Sequence, residues 1–118
     1  MTQQNWFLIS GILGFLGVAL GAFGAHGLKK MLSEEMMQVY QTGVLYHLVH
    51  TVVLLTITIY NKMPYAQICF LIGILVFSGS LYILTISGMK KLGMVTPIGG
   101  LFFLAGWFFV IWEGMRNA

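Results

Sequence analysis

The side chains best suited to chemistry in this sequence are histidines and hydroxyls that stand within or beside long apolar stretches. His47 and His50 are three residues apart, which puts them on one side of a helix. Polar groups inside a membrane are costly, so a group of them indicates a functional or a structural site. The members of this predicted polar cluster are His26, Tyr46, His47, His50, Ser78, Tyr82 and Thr96.

Several kinds of chemistry fit the polar cluster. His47 and His50 could ligate one metal ion with His26, but no Cys, Asp or Glu stands at the same depth to complete the site. Axial haem ligation, a proton relay with transport, and a pocket for a lipid or small ligand are alternatives. Transport needs a polar path across the whole membrane. The half of the predicted bundle that lies away from the pairs Lys29–Lys30 and Lys90–Lys91 is almost wholly apolar. We therefore favour a structural hydrogen-bond network and predict no metal and no cofactor.

Nothing in the sequence is typical of an enzyme. There are no paired carboxylates, no Ser–His–Asp order and no phosphate-binding loop. Glu113 stands three residues before Arg116, a spacing that predicts a surface ion pair. The six Lys and Arg residues lie at the ends of apolar stretches and form no basic stripe, so we expect no nucleic-acid partner.

Four apolar stretches must position these residues. Each is about as long as a helix that crosses the ~30 Å hydrocarbon core of a bilayer. Charged residues make up only 8% of the chain, against ~25% in soluble domains. Ser33 is a predicted N-cap, so the second helix has the option of starting at Glu34. The prediction is a single all-α membrane domain, 1–118, a four-helix transmembrane bundle with helices at roughly 6–25, 43–60 (or 34–60), 65–87 and 97–114.

The charges predict an orientation in the membrane. Loops 28–42 and 88–96 carry the pairs Lys29–Lys30 and Lys90–Lys91, and we call their side of the membrane the Lys-pair side. The other side carries only Lys62 and Arg116. Because cytoplasmic loops are enriched in Lys and Arg, we expect both Lys-pair loops in the cytoplasm and both termini outside. With this orientation, we expect the polar cluster, including all three histidines, in the cytoplasmic half of the bundle.

Glycines on the first stretch predict a packing seam. Gly14, Gly17, Gly21 and Gly24 fall on one face of a helix. Small residues allow close contact between membrane helices. The pattern does not say whether the seam meets this chain or a second copy. Because so small a bundle hides little surface, we expect a homo-oligomer surrounded by membrane lipids.

The start of the fourth helix is a candidate anion site. Thr96 is a predicted N-cap with Pro97 at the first helical position, and Gly99 and Gly100 follow. Free amides at a helix start favour anions, and Lys90 and Lys91 are close, so a lipid phosphate could bind there. The alternative, which we favour, is that the glycine pair allows close helix packing.

Five motifs together resemble a known family. They are Gly21-Ala22-Phe23-Gly24-Ala25-His26-Gly27-Leu28, Tyr46-His47-Leu48-Val49-His50, Phe77-Ser78-Gly79-Ser80-Leu81-Tyr82, Thr96-Pro97-Ile98-Gly99-Gly100 and Ala105-Gly106-Trp107. Their order is similar to that of the domain-of-unknown-function 423 family of small bacterial inner-membrane proteins, which has a relative among small vertebrate transmembrane proteins. The resemblance implies four helices and a location in the plasma membrane, and it implies no biochemical mechanism.

Overall fold

The computed structural model describes all 118 residues, and it contains four long helices. We number them α1 (Gln3–Leu28), α2 (Glu34–Tyr60), α3 (Pro64–Ser87) and α4 (Thr96–Arg116). A short 3-10 helix, Lys90–Met94, precedes α4. All four spans are long and apolar enough to cross a membrane, so the predicted all-α transmembrane architecture is confirmed.

Local sequence signals explain most helix ends. The Ser33 hydroxyl accepts a hydrogen bond from the amide of Met36 at 3.1 Å, so α2 starts at Glu34 as the N-cap predicted. Pro64 occupies the first turn of α3, where the missing amide of proline costs no helical hydrogen bond. At the other ends, Asn61 and Gly88 adopt left-handed backbone conformations that stop α2 and α3.

Two helix starts differ from prediction. The first helix begins at Gln3 instead of residue 6, because the Thr2 hydroxyl accepts from the amide of Asn5 and caps it. Thr96 is not an N-cap. Its hydroxyl lies 3.2 Å from the carbonyl oxygen of Leu92, to which it can donate, because the preceding 3-10 turn leads directly into α4.

The helices form a row. α1 packs along α2, α2 along α3, and α3 along α4, whereas α1 and α4 do not pack along each other. The row is only 19 Å across its thinnest dimension. The apolar core lies mainly towards the terminus side, where its members are Trp6, Leu13, Leu54, Ile57, Met63, Ala66, Phe70, Ile74 and Phe103.

The glycine seam of α1 faces α2 of the same chain. A Cβ atom added at Gly17 would lie 2.5 Å from Leu48 Cδ2. One added at Gly21 would lie 2.9 Å from Val44 Cγ1, and Gly24 is covered by the Tyr40 hydroxyl. Gly14 is less crowded, with its nearest contact 3.7 Å away. The seam is therefore used for packing within one chain.

A second set of glycines joins α3 to α4. Each accommodates a phenylalanine of the opposite helix, because a Cβ atom would lie within 3 Å of the ring or backbone it meets. These glycine–phenylalanine pairs allow the antiparallel helices α3 and α4 to approach closely at three successive levels. The pairs are Phe70 with Gly106, Gly73 with Phe103, and Phe77 with Gly99.

Candidate functional site

His47 is the central residue of α2 and links three helices. Its Nε2 lies 2.8 Å from the carbonyl oxygen of Leu13 on α1, and its Nδ1 lies 2.8 Å from the hydroxyl of Tyr82 on α3. A carbonyl can only accept, so Nε2 carries the proton and donates to Leu13. In the neutral ring Nδ1 is then the acceptor, and the Tyr82 hydroxyl donates to it.

His50 has the opposite tautomer. Its Nδ1 lies 2.8 Å from the carbonyl oxygen of Tyr46, so Nδ1 carries the proton and donates. The indole N–H of Trp107 on α4 donates to Nε2 at 3.2 Å. The ring also stacks on Phe103, with centroids 3.8 Å apart and an interplanar angle of 15°. Both nitrogens of both buried histidines therefore have hydrogen-bond partners.

The hydroxyl groups of the cluster bond separately. Ser78 donates to the carbonyl oxygen of Gly43 at 2.7 Å, which joins α3 to α2. The Thr96 hydroxyl lies 2.6 Å from that of Ser80, which joins α4 to α3. The predicted cluster is thus several small contacts that share α2 and α3, and it is not one continuous network.

His26 does not join these contacts. It lies at the exposed end of α1 and makes no side-chain hydrogen bond. Measured along α2, the two buried histidines do not lie in its Lys-pair half. Because α2 extends back to Glu34, its middle falls at His47, and His50 lies still further from the Lys-pair side.

The histidines do not converge on a metal site. His47 faces α1 and Tyr82, whereas His50 faces Phe103 and Trp107 on α4. No group of three His, Cys, Asp or Glu side chains could hold a metal ion. The spacing of three residues does place both rings on the buried side of α2. The two rings nevertheless face different helices, so they cannot ligate one metal ion.

The candidate anion site has few free donors. The amides of Ile98 and Gly99 both donate to the carbonyl oxygen of Val95, at 3.0 and 3.4 Å. Gly99 is buried against the backbone of Phe77, and Lys90 and Lys91 are exposed on the preceding turn. Gly99 is used for close packing, whereas a Cβ atom at Gly100 would make only an ordinary contact, 4.0 Å from Phe77 Cδ2.

Tyr40 makes an interhelical contact that has no counterpart in the sequence prediction. The Tyr40 side chain is completely buried, and its hydroxyl donates to the carbonyl oxygen of Leu20 at 2.5 Å. Leu20 lies in a π-helical turn, Ala19–Gly24, where the wider backbone spacing frees carbonyl groups. Gly24 gives the Tyr40 hydroxyl its space. The contact between Gly24 and Tyr40 could not be predicted from the sequence, because it depends on how α1 pairs with α2.

Glu113 does not form the expected surface ion pair with Arg116. Its side chain is 4% exposed, and its Oε1 accepts from the amide of Ala66 at 3.0 Å. It therefore caps the start of α3, where the helix dipole favours an acid. The Arg116 guanidinium lies instead over the Trp112 ring, 4.8 Å from its centroid.

The terminus-side half of the bundle is less apolar than expected. Thr58 and Gln67 are buried there, and the Gln67 amide donates to the Thr58 hydroxyl at 3.1 Å. Gln3 donates to the carbonyl oxygen of Thr58 at 3.0 Å. In the sequence, these residues are visible only as single polar positions within or beside apolar stretches. Which of them pair depends on how the helices pack.

Four apolar spans with short connections and internally bonded polar groups define a small polytopic helical membrane protein. The model of a family described as "Protein of unknown function (DUF423)" matches residues 20–100. The chain belongs to this DUF423 family, which confirms the resemblance of its motifs.

Relatives in several bacteria match most of the chain. UPF0382 membrane protein SH2409 of Staphylococcus haemolyticus is 40% identical over 111 residues, 89% of this chain and 91% of that protein. UPF0382 membrane protein YwdK of Bacillus subtilis is 35% identical over 116 residues, 92% and 94% of the two chains. UPF0382 inner membrane protein YgdD of Escherichia coli K12 is 36% identical over 122 residues, 98% and 93%. No solved structure matches.

Proposed function

We propose that this protein is a non-enzymatic, structural or accessory helical bundle of the bacterial inner membrane. One observation carries the proposal: both nitrogens of His47 and of His50 are already hydrogen-bonded inside the chain. Such bonds fix the register of neighbouring membrane helices. The imidazoles act as links between helices, and neither offers a free nitrogen to a metal, a haem or a substrate.

The same contacts disfavour proton transport through the histidines. A proton added to His50 Nε2 would face the indole N–H of Trp107, so two donors would oppose each other. His47 and His50 bond to different helices, and no bonded path joins them to the exposed His26. A relay would need these contacts to break in every cycle.

A double-mutant cycle tests the structural role. The variants are His47→Ala, Tyr82→Phe and the combination, with His26→Ala as the matched control because His26 is exposed and unbonded. Unfolding in detergent should show a coupling of about 0.6–1.7 kcal/mol, as for other hydrogen bonds between membrane helices. No coupling, or equal destabilisation by His26→Ala, would contradict the role.

Proton flux in proteoliposomes tests the competing transport function. We expect the same flux from wild-type vesicles as from empty ones. A flux above that of empty vesicles that His50→Ala abolishes would overturn the accessory role.

The proposed location and orientation follow the charges. The relative YgdD is named an inner membrane protein, and four of the six Lys and Arg residues lie on the Lys-pair side. We therefore place the Lys-pair loops in the cytoplasm and both termini outside. In a Cys69→Ala background, a membrane-impermeant maleimide should label Lys62→Cys but not Lys91→Cys in cells whose periplasm is accessible. The reverse labelling would invert the orientation.

The proposed partners are membrane lipids and further copies of the chain. α1 and α4, at the two ends of the row, each have only 17% of their most apolar stretch buried. Such faces need lipid or protein cover. Native mass spectrometry of protein released from lipid nanodiscs should give a defined oligomer, and a single-chain mass would exclude self-association.

A further inference from the structure

A cleft opens between α2 and α4 on the side of the row. These helices do not pack closely along their length, and the cleft has a volume of about 440 Å³. That size falls within the ~300–1,000 Å³ of known small-molecule sites. Its walls are mainly aromatic and apolar, formed by Tyr46, His50, Phe77, Phe103, Leu104 and Trp107.

The position of Tyr46 is unusual for a membrane tyrosine. It precedes the central residue of α2, whereas membrane tyrosines concentrate at the two interfaces. Its side chain is 40% exposed and lines the cleft, and its hydroxyl makes no hydrogen bond within the chain. The hydroxyls of Tyr40 and Tyr82, by contrast, are both bonded. A free hydroxyl in hydrocarbon is costly, so the Tyr46 hydroxyl needs an acceptor from outside the chain.

The walls of the cleft favour a flat ring. Two exposed side chains of the walls are aromatic, since Tyr46 and Trp107 are 40% and 42% exposed. The buried His50 and Phe103 rings stack on each other with centroids 3.8 Å apart. His50 is held by its own backbone contact and by Trp107, so the aromatic wall is preformed. An acyl chain would fill such a cleft without needing either an aromatic wall or a donor.

We propose that this cleft binds a lipid-soluble ring that carries a carbonyl group, of the membrane quinone class, and that the Tyr46 hydroxyl donates to the carbonyl. The cleft continues along α4 from Trp107 to Pro97, about 15 Å at 1.5 Å per residue. The ring lies at mid-membrane depth, and an apolar tail leaves sideways into the bilayer. This ligand site does not depend on the proposed accessory role, because it uses no nitrogen of His47 or His50.

Binding is tested with menadione and decylubiquinone added to the full chain in nanodiscs. Quenching of intrinsic tryptophan fluorescence should saturate, since Trp107 lies in the wall. Tyr46→Phe removes only the hydroxyl and should weaken binding by about 2- to 10-fold, the effect of one hydrogen bond. Because that hydroxyl makes no internal bond, the variant should melt like the wild type. Tyr60→Phe, outside the cleft, is the matched control.

A second variant narrows the cleft. Leu104→Phe adds a ring to the wall and should abolish saturable quenching while the protein stays folded. Quenching that is linear with concentration, or unchanged in both Tyr46→Phe and Leu104→Phe, would overturn the proposal. Competition by a plain fatty acid would also overturn the proposal if it displaced the quinone equally well from the wild type and from Tyr46→Phe. The cleft would then be a groove for lipid chains.

Discussion

Replacing Gly99 with alanine tests how closely α3 and α4 approach. A Cβ atom at Gly99 would lie 2.6 Å from Phe77 Cα and 2.7 Å from Phe77 Cβ, and closer still to its backbone nitrogen. A helix backbone cannot turn aside as the end of a side chain can. The two helices would have to separate at this level. At the neighbouring Gly100, the nearest atom would be Phe77 Cδ2 at 4.0 Å, an ordinary contact.

The difference between the two variants isolates the steric effect. Overpacking a tight contact costs about 1–3 kcal/mol. Alanine is favoured over glycine inside a helix by about 0.5–1 kcal/mol, and both variants gain this amount. Gly99→Ala should therefore be less stable than Gly100→Ala by about 1–3 kcal/mol. Gly100→Ala itself should be as stable as the wild type or slightly more stable.

Reversible unfolding in mixed detergent micelles, followed by circular dichroism, measures both variants. Gly11→Ala is a further control, because nothing lies within 4 Å of a Cβ atom there. Equal stability of Gly99→Ala and Gly100→Ala would refute the close approach of α3 and α4. A loss in both variants would instead indicate that the start of α4 needs both glycines, as an anion site would.

Substitutions at three further residues test individual polar groups by the same unfolding measurement. Ser10→Ala should stabilise the protein by about 1 kcal/mol, because the Ser10 hydroxyl is buried without a partner; a loss of stability would show that it is bonded. Glu113→Ala should cost about 1–3 kcal/mol by leaving the Ala66 amide unpaired, and Glu113→Gln, which keeps an acceptor, should cost less. Tyr40→Phe should cost about 0.6–1.7 kcal/mol by removing the bond to Leu20, and no change would contradict that contact.

The helices were predictable because their signals are local. Apolar length defines each span, and Ser33 and Pro64 mark the starts of α2 and α3 by the bonds they make or lack. The glycine face of α1 was equally visible, because it follows from helical periodicity alone. The prediction that Thr96 caps α4 was wrong, because a threonine hydroxyl can either accept from a backbone amide or donate to a backbone carbonyl. The 3-10 turn before α4 brings the Leu92 carbonyl within reach, and the Thr96 hydroxyl can donate to it.

The partners of these residues were not predictable from spacing. His47 and His50 lie on one side of α2, yet they bond to α1 and α3 in one case and to α4 in the other. Glu113 is far from Ala66 in sequence, and only the antiparallel pairing of α3 and α4 brings it to the start of α3. Such contacts depend on helix order and rotation, which no single stretch encodes.

Burial, and not hydropathy, follows position in the row, because the inner helices α2 and α3 have the same buried share and are the least and the most apolar of the four spans. α2 is the least apolar span, with a mean hydropathy of 1.7 against 2.0–2.3 for the others. It is also an inner helix, with 39% of its most apolar stretch buried against 17% for α1 and α4. Polar side chains are tolerated at membrane depth where neighbouring helices supply partners, and α2 has neighbours on both sides. Tyr46 is the exception, since its side chain lines the cleft between α2 and α4 and its hydroxyl has no partner within the chain, and this is why a ligand is expected there.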